Sequence, residues 1–563
     1  MTQYAAGPRS PVSDASGGDD AGRGSNLNAA RQLAETVRTT LGPKGLDKML
    51  VSDDGRVVVT NDGASIIDRL DIDHPAARLV AEVADQQSFK AGDGTTTAVV
   101  VAGELLHEAE SLLERGVHPT SVTAGYGLAA ERSRDLLGEL TVPVDPDDDD
   151  LLRDVARTVV TGKWDAEATD FLAGLAVDAV GAIERDGRVR FERITRKTVP
   201  GGSFSDSAVV EGLVIDLEES STDVVTPADL PRELRDATVA LVDEQLSIDE
   251  PTGMGAVNPE SYEDYRSFRE YERDVYDGYV ARLVDVGADV VFCQQSIDDP
   301  VRYGLAAEGI LAVERTRRDE LYKLARATGG QAVAMEDLTR ATVGRAGRVE
   351  RRPVGSTEVV VVTAGFDEFD QVSLLCRGGT EHVAEETRRV LDDCFHALKF
   401  AIEDGVLVPG AGAVEVELAR RLRDESTEVA GREQLAVERF ATALEAVPRT
   451  LARTAGMDPV DALVGLRAAH DDGDARAGLD LDARAVVDAA DLGVLEPLYV
   501  KRRAIAGAAE AANLILRIDD TIPVTREGEG HGHDHEEDHE HGPGDLVHST
   551  EGYPWALGHS MGH

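Results

Sequence analysis

The chain has 563 residues, 42% of them hydrophobic and only 4% aromatic, which exceeds a single core and predicts about two to four domains of packed α/β character. Its 58 basic and 106 acidic residues leave a formal charge of −48, and a surface that acidic repels phosphate and argues against non-specific nucleic-acid binding. No apolar run approaches the ~20 residues of a membrane helix.

Cys293, Cys376 and Cys394 are far apart with no C-x-x-C spacing, so neither a disulfide framework nor a zinc site is expected. Met1 to Ser25 is rich in Gly, Ser and Asp without an apolar stretch. It reads as a disordered segment, not a signal peptide. High salt would screen the self-repulsion of so acidic a chain over a few ångströms. A salt-rich cytoplasm, such as that of a halophilic archaeon, is therefore the expected setting, with an ordinary acidic cytosolic protein as the alternative.

From Asn26 the spacing of Leu27, Ala30, Leu33, Ala34 and Val37 predicts a helix. Leu41-Gly42-Pro43-Lys44-Gly45 ends it. Arg56–Thr60 reads as a strand and Asn61-Asp62-Gly63 as a turn. Helical patterns run from His74 through Leu137. The polar stretch Pro143–Asp150 is a candidate domain edge. Beyond it, Thr161-Gly162-Lys163 breaks a helix, and Glu211–Asp216 and Thr238–Val242 read as strands. Asp249–Pro259 reads as a loop before a charged helix carrying Tyr262, Tyr265, Phe268, Val275, Tyr279, Leu283 and Val286.

A strand at Ala288–Cys293, a helix around Pro300–Glu308, a strand at Ile310–Val313 and a helix at Arg318–Thr328 follow. The β-branched strand Glu358–Thr363 closes a compact α/β module at about 218–369. Cys376-Arg377-Gly378-Gly379-Thr380 opens a long helix over Glu381–Asp404, and the last helices reach about Arg517. Thr525–His563, rich in Gly, His and acids, reads as disordered. Its His531, His533, His535, His539 and His541 could bind Zn²⁺, Ni²⁺ or Cu²⁺; a plain acidic tail is the alternative.

The most informative run is Gly92-Asp93-Gly94-Thr95-Thr96-Thr97-Ala98-Val99-Val100. Two glycines let the backbone turn tightly, and a Gly-rich turn feeding a helix aims unpaired N–H groups at one spot, as a phosphate requires. Asp93 would repel phosphate unless a hard cation such as Mg²⁺ sat between them. The run reads as a Mg-nucleotide cradle or as a surface turn with a Thr N-cap.

Taken together, the motifs Thr39-Thr40-Leu41-Gly42-Pro43-Lys44-Gly45-Leu46-Asp47-Lys48-Met49-Leu50, Thr60-Asn61-Asp62-Gly63-Ala64 and Gly92–Thr97 resemble the N-terminal nucleotide site of the group II chaperonins, the thermosome and its eukaryotic cytosolic relatives. Thr161-Gly162-Lys163, Val291-Phe292-Cys293-Gln294, Ile297-Asp298-Asp299, Arg377–Glu381, Gly405–Gly412, Glu496–Lys501 and Ile515–Asp520 extend the resemblance over roughly Asn26–Pro523. Group I chaperonins share the Gly-Asp-Gly-Thr-Thr-Thr loop but lack a built-in lid.

The resemblance implies a multidomain α+β and α/β subunit. A helical equatorial ATPase domain would comprise 26–149 and 403–525, and an intermediate hinge domain 150–217 and 370–402. An apical α/β domain would span 218–369 with a helical lid protrusion at about 247–286, leaving tails at 1–25 and 526–563. It implies ATP or ADP with Mg²⁺ as ligands and unfolded or partly folded proteins as clients. It further implies a homo- or hetero-oligomeric double ring with paralogous subunits, in the cytoplasm, with no nucleic-acid or membrane partner.

Residue by residue, the same resemblance implies that Thr40, Leu41, Gly42 and Pro43 flank the phosphates and adenosine. Gly92 would belong to the nucleotide site, Gly94, Thr95, Thr96 and Thr97 would donate N–H and O–H groups to phosphate oxygens, and Asp93 would hold Mg²⁺. Asp393 would accept a proton from the attacking water or orient it, with Asp62 as its partner. Lys163 would sense the γ-phosphate, Gly410 and Gly412 would approach the nucleotide closely, and Glu496 would bond the ribose. From the residues alone, Asp393 reads first as a solvated helix position, and Lys163 equally as a cation at a helix C-terminus.

Three departures stand out. Ala411 occupies a position where the family usually carries a third glycine. Cys394 and Phe395 replace a small and aliphatic pair. The segment Glu250–Asp277 is acidic and Tyr-rich instead of apolar, leaving open whether it grips clients or only closes a chamber. A scaffold ring that binds nucleotide with little turnover is the competing reading. A monomeric metabolic kinase is a weaker one, since no G-x-x-x-x-G-K-[ST] motif is present.

Overall fold

The computed structural model describes residues 19–52, 55, 57–217, 230–248, 262–355, 357–364 and 371–519. The expectations for residues 1–18, the loop before the charged helix and the His-rich tail lie outside these. The first helix, Asp19–Arg38, begins ahead of the expected start at Asn26. Thus the end of the segment expected to be disordered is ordered, and Leu27, Ala30, Ala34 and Val37 are buried.

Three cores organise the chain. The first is helical and gathers side chains from both ends of the sequence. Helices Asp19–Arg38, Pro75–Ala91, Thr95–Glu114 and Pro119–Glu139 pack with Ala413–Ser426, Glu433–Leu444 and Leu498–Leu516. The helical pattern from His74 to Leu137 is thus three helices, with Pro at the start of two of them, where its missing N–H costs nothing. Beside them lies the hairpin Lys48–Val51 with Val57–Thr60; the first of these strands had no strand expectation.

The second core joins helices Asp149–Val160 and Ala166–Ile183 to helix Glu381–Asp404, against a three-stranded sheet of Ile194–Pro200, Val372–Gly378 and Ala208–Glu211. Cys376, Arg377 and Gly378, expected to open the long helix, end a strand instead. The helix starts at Glu381 with Thr380 as its cap, the Thr380 side chain accepting the Val383 N–H at 3.3 Å.

The third core is a seven-stranded mixed sheet running Leu213–Leu217, Thr357–Ala364, Gly344–Val354, Glu233–Val242, Val290–Cys293 and Leu311–Val313, with Ala332–Val333 beside Glu233–Val242. The half containing 290–293 and 311–313 is parallel and carries the expected strand–helix alternation. The other half is antiparallel, and its 344–354 strand (Gly-Arg-Ala-Gly-Arg-Val-Glu-Arg-Arg-Pro-Val) was not expected, because Arg345, Arg348, Arg351 and Arg352 interrupt its apolar pattern.

The expected single strand Glu211–Asp216 is two. Gly212, at φ +96°, breaks it, and a Cβ there would stand 2.4 Å from the Val362 carbonyl oxygen. Residues 208–211 pair in the second core and 213–217 in the third. The change of sheet thus falls at the glycine.

One strand links the second and third cores through buried charge. Neighbouring residues on a strand face opposite ways. Arg196 reaches Asp392 on the 381–404 helix, while Lys197 lies 2.7 Å from Glu320 Oε1 and 2.7 Å from Asp216 Oδ2. Lys197 and Glu320 are 5% and 3% exposed, and Arg317 adds a second cation 3.0 Å from Glu320. Lys197→Met keeps the side-chain stem but leaves the Glu320 carboxylate underpaired in the interior, a loss of about 3 kcal/mol. The thermal melting midpoint should fall by several degrees; an unchanged midpoint would show that the pair does not hold the two cores together.

Candidate active site

Four chain segments from the first two cores converge. In the first, helix Pro75–Ala91 ends at Gly92 in the left-handed region (φ +72°) and helix Thr95–Glu114 begins at Gly94 (φ +79°). Only glycine adopts two such conformations in three residues without strain. Gly94 offers no side chain to cap the new helix, whose first bond is Ala98 N–H to Gly94 C=O at 3.0 Å. The N–H groups of Thr95, Thr96 and Thr97 thus end the helix as donors without an intrahelical acceptor. The Asp93 carbonyl accepts from Gln87 Nε2 at 2.8 Å, which fixes the loop and leaves the carboxylate free of that duty.

The second segment is Asn61–Ser65. Asp62 caps helix Gly63–Asp68, with Oδ2 accepting the Ser65 N–H at 2.7 Å. A Cβ on Gly63 would lie 2.3 Å from Thr96 Oγ1, so this cap and the threonine run are in direct contact. The third is the turn Thr161–Lys163. Asn61 Nδ2 donates to the Gly162 carbonyl at 2.6 Å, and a Cβ on Gly162 would meet Pro43 Cα at 2.8 Å. That turn therefore rests on the loop Thr40–Pro43, where Gly42 turns at φ +83° and Thr40 Oγ1 donates to the Val37 carbonyl at 2.9 Å.

The fourth is helix Glu381–Asp404, whose buried face is Val390, Leu391, Cys394, Phe395, Ala397 and Leu398 at helical spacing. It lies against the glycine loop: a Cβ on Gly92 would be 2.5 Å from His396 Cβ. On this helix Asp393 Oδ2 stands 2.7 Å from Lys163 Nζ. The sequence left Lys163 between a helix-end cation and a site residue, and its partner is Asp393.

Charge dominates the centre. Burial pushes the Asp393 carboxyl up to about 6, aided by the nearby Asp62 and Asp93 charges and opposed by Lys163. Burial disfavours charge on Lys163 too, yet Asp393, Asp62 and Asp93 overcome it and hold the ammonium protonated. Burial alone would raise Asp62, but Lys163 and Arg389 bring it below the usual carboxylate range. Asp62, Asp93, Asp393 and Lys163 thus share one electrostatic neighbourhood.

A second buried cluster adjoins it. Lys501 Nζ lies 2.7 Å from Glu415 Oε1 and 3.0 Å from Glu496 Oε1. Glu496 pairs across the sheet with Val408, and a Cβ on Gly410 would meet Glu496 Oε1 at 2.9 Å. Burial raises the Glu496 carboxyl against the pull of Lys501. Ala411 sits in the left-handed region at φ +55°, the conformation a third glycine would take freely. Gly412 (φ +82°) caps helix Ala413–Ser426 beside Pro448. Among the described residues, Leu41 and Gly412 make no polar contact with the acid cluster.

Sequence reasoning did not single out Gln87, Ser65, Lys501 or Arg389. Arg389 was the most accessible of these, being four residues before Asp393 on the same helix face; its partner, Asp62, was not visible from that spacing.

The donor set fits a nucleotide. A helix N-terminus with three unpaired N–H groups suits phosphate oxygens, and an oxygen-only carboxylate beside them suits a hard divalent cation. A carboxyl raised to about 6 is placed to take a proton near neutrality.

The sequence model of the TCP-1/cpn60 chaperonin family matches residues 33–526. The chain is 46% identical over 502 residues to a thermosome subunit of Methanopyrus kandleri, covering 88% of this chain and 91% of that one. It is 45% identical over 506 residues to thermosome subunit alpha of Halobacterium salinarum, covering 90% and 89%. It is 44% identical over 498 residues to thermosome subunit 1 of Haloferax volcanii, covering 88% of each.

Proposed function

The chain belongs to the TCP-1/cpn60 chaperonin family, and from that premise we propose how its cores and its acid cluster divide the work. It is an ATP-dependent chaperonin subunit that assists protein folding in a double-ring complex. In our reading the first core is the equatorial ATPase domain, the second the intermediate hinge domain and the third the apical client domain. The apical limit then falls at 213, and helix Tyr262–Val286 forms part of the lid. That the first two cores each draw on separated stretches of sequence supports this division.

We assign nucleotide binding to Thr40–Pro43, Gly92, Gly94–Thr97, Gly410, Gly412 and Glu496. The N–H groups of residues 95–97 hold phosphate oxygens, and Asp93 holds Mg²⁺, which when bound neutralises phosphate charge. Asp393 takes the proton of the attacking water and Asp62 orients that water. Phosphoryl transfer asks mainly for positioning and charge stabilisation, and this set supplies both. Lys163, bonded to Asp393, faces the same phosphates and reports their presence to the hinge layer. Client proteins and paralogous ring subunits are the partners proposed. The compartment proposed is the cytoplasm; among the described residues no helix is long and apolar enough to cross a membrane.

The observation that carries the reading is the 2.7 Å contact of Asp393 with Lys163 inside a cluster also containing Asp62 and Asp93. Its test is a pH profile. A general base works deprotonated, so kcat/KM for ATP, which reports the free enzyme, should rise with pH through about 6. Below that it should fall about tenfold per unit. Asp62, held low by its cations, stays ionised through this range and adds no limb. Asp393→Asn should remove the limb together with most of the rate; a limb that survives in Asp393→Asn belongs to another group.

A further inference from the structure

We infer that Arg389 is a positioning residue for ATP hydrolysis. Its guanidinium fixes Asp62 of the first core against the helix of the second that carries Asp393, so the two carboxylates meet in one register. The inference rests on the roles proposed for Asp62 and Asp393.

Arg389 and Asp393 are one helical turn apart on Glu381–Asp404 and share a face. Arg389 Nη1 donates to Asp62 Oδ2 and to Ser65 Oγ. Its Nη2 donates to Glu386 Oε1 and Oε2 at 2.9 and 3.1 Å. Both terminal nitrogens are therefore committed to protein acceptors, so this arginine is built to hold a carboxylate, not to reach for a phosphate. A planar fork does this and a lysine ammonium does not.

At the other end, Asp62 Oδ2 receives both the Ser65 N–H and Arg389. Among the described residues, Oδ1 accepts no hydrogen bond. One oxygen is thus pinned by a helix cap and a cation, and the other is left for a water molecule.

The contact also crosses between layers. Lys163 and Asp393 both lie on segments packed in the second core, next to Val160 and Trp164 and to Leu391 and Cys394. Asp62 caps a helix packed in the first core, and Arg389 is the cation that reaches it from the 381–404 helix. Asp393 sits beside Asp62 and Asp93, whose charges oppose its ionisation. Arg389, with Lys163, keeps Asp62 ionised against its burial, and Lys163 favours the ionised form of Asp393. Closure of the two layers then has a charged registration point four residues from the base.

The experiment uses the assembled particle, with steady-state ATPase over a range of ATP concentrations. Arg389→Ala should lower kcat by about 10²-fold, the cost of an ångström-scale misplacement. KM for ATP should change little, because no phosphate ligand is lost. Added guanidinium ion should restore part of kcat in Arg389→Ala. Arg389→Lys, which keeps charge and bulk if alanine disturbs assembly, should recover less than about a tenth of the wild-type rate, since the fork is missing. Asp62→Asn with Arg389→Ala should be no slower than Asp62→Asn alone, the non-additivity of residues that act as one unit.

A wild-type kcat in Arg389→Ala, a rise in KM at unchanged kcat, or additive losses in the double variant would each overturn the inference. Full turnover in Asp62→Asn would instead overturn the proposed role of Asp62 itself.

Discussion

Asp393→Ala should bind ATP as the wild type does and lose about 10²- to 10⁴-fold in turnover, the usual range for a positioned general base. Binding survives because the proposed phosphate donors, Thr95–Thr97, and the proposed metal ligand, Asp93, sit on the Pro75–Ala91 and Thr95–Glu114 helices and the loop between them. Asp393 reaches them from another core, on helix Glu381–Asp404. Its removal strips Lys163 of a partner at 2.7 Å, but Asp62 and Asp93 still stabilise that ammonium. The site should therefore keep its shape. Equilibrium ATP binding and phosphate release, measured on the same preparation, separate the two steps. Unchanged phosphate release would remove Asp393 from the reacting water. Turnover gated by the approach of one layer to another is the behaviour of lidded enzymes generally.

Asp93→Ala should abolish the dependence of ATP affinity on Mg²⁺. The loop gives this substitution a clean meaning. Its backbone turn is set by Gly92 and Gly94 and by the Gln87 bond to the Asp93 carbonyl, none of which needs the carboxylate. Alanine thus deletes the proposed oxygen ligand and one of the three carboxylates that favour the Lys163 ammonium, while leaving the loop's backbone in place. Cation neutralisation of phosphate is a matter of several kcal/mol, so the wild type should bind ATP about 10²-fold or more tightly with Mg²⁺ than with a chelator, and Asp93→Ala should bind equally in both. A variant that still gains affinity from Mg²⁺ would place the metal on another residue.

Much of this site was legible because its pieces are local. Gly92-Asp93-Gly94 followed by three threonines specifies a loop and a helix start within nine residues, and the helix Glu381–Asp404 announces itself by apolar spacing between Thr380 and Gly405. What failed was non-local. Gly212 reads as one glycine inside a strand until its neighbours are seen to pair in different sheets. The 344–354 strand hides behind arginines that find acids on adjacent strands, such as Arg351 with Glu358 at 2.7 Å. Arg389 carries no local sign of its partner, because Asp62 lies 327 residues away in the chain.

By itself, then, the order of residues determined the turn conformations, the helix faces and the chemical types of the groups available, since these depend on φ, ψ and spacing within a few residues. Tertiary structure alone decided which charges meet. Lys163 takes Asp393 as its partner, and Asp62 takes Arg389, across hundreds of residues of intervening chain. A charge shifts a carboxyl strongly when it stands within about 4–6 Å of it, and that proximity exists only once the cores have packed.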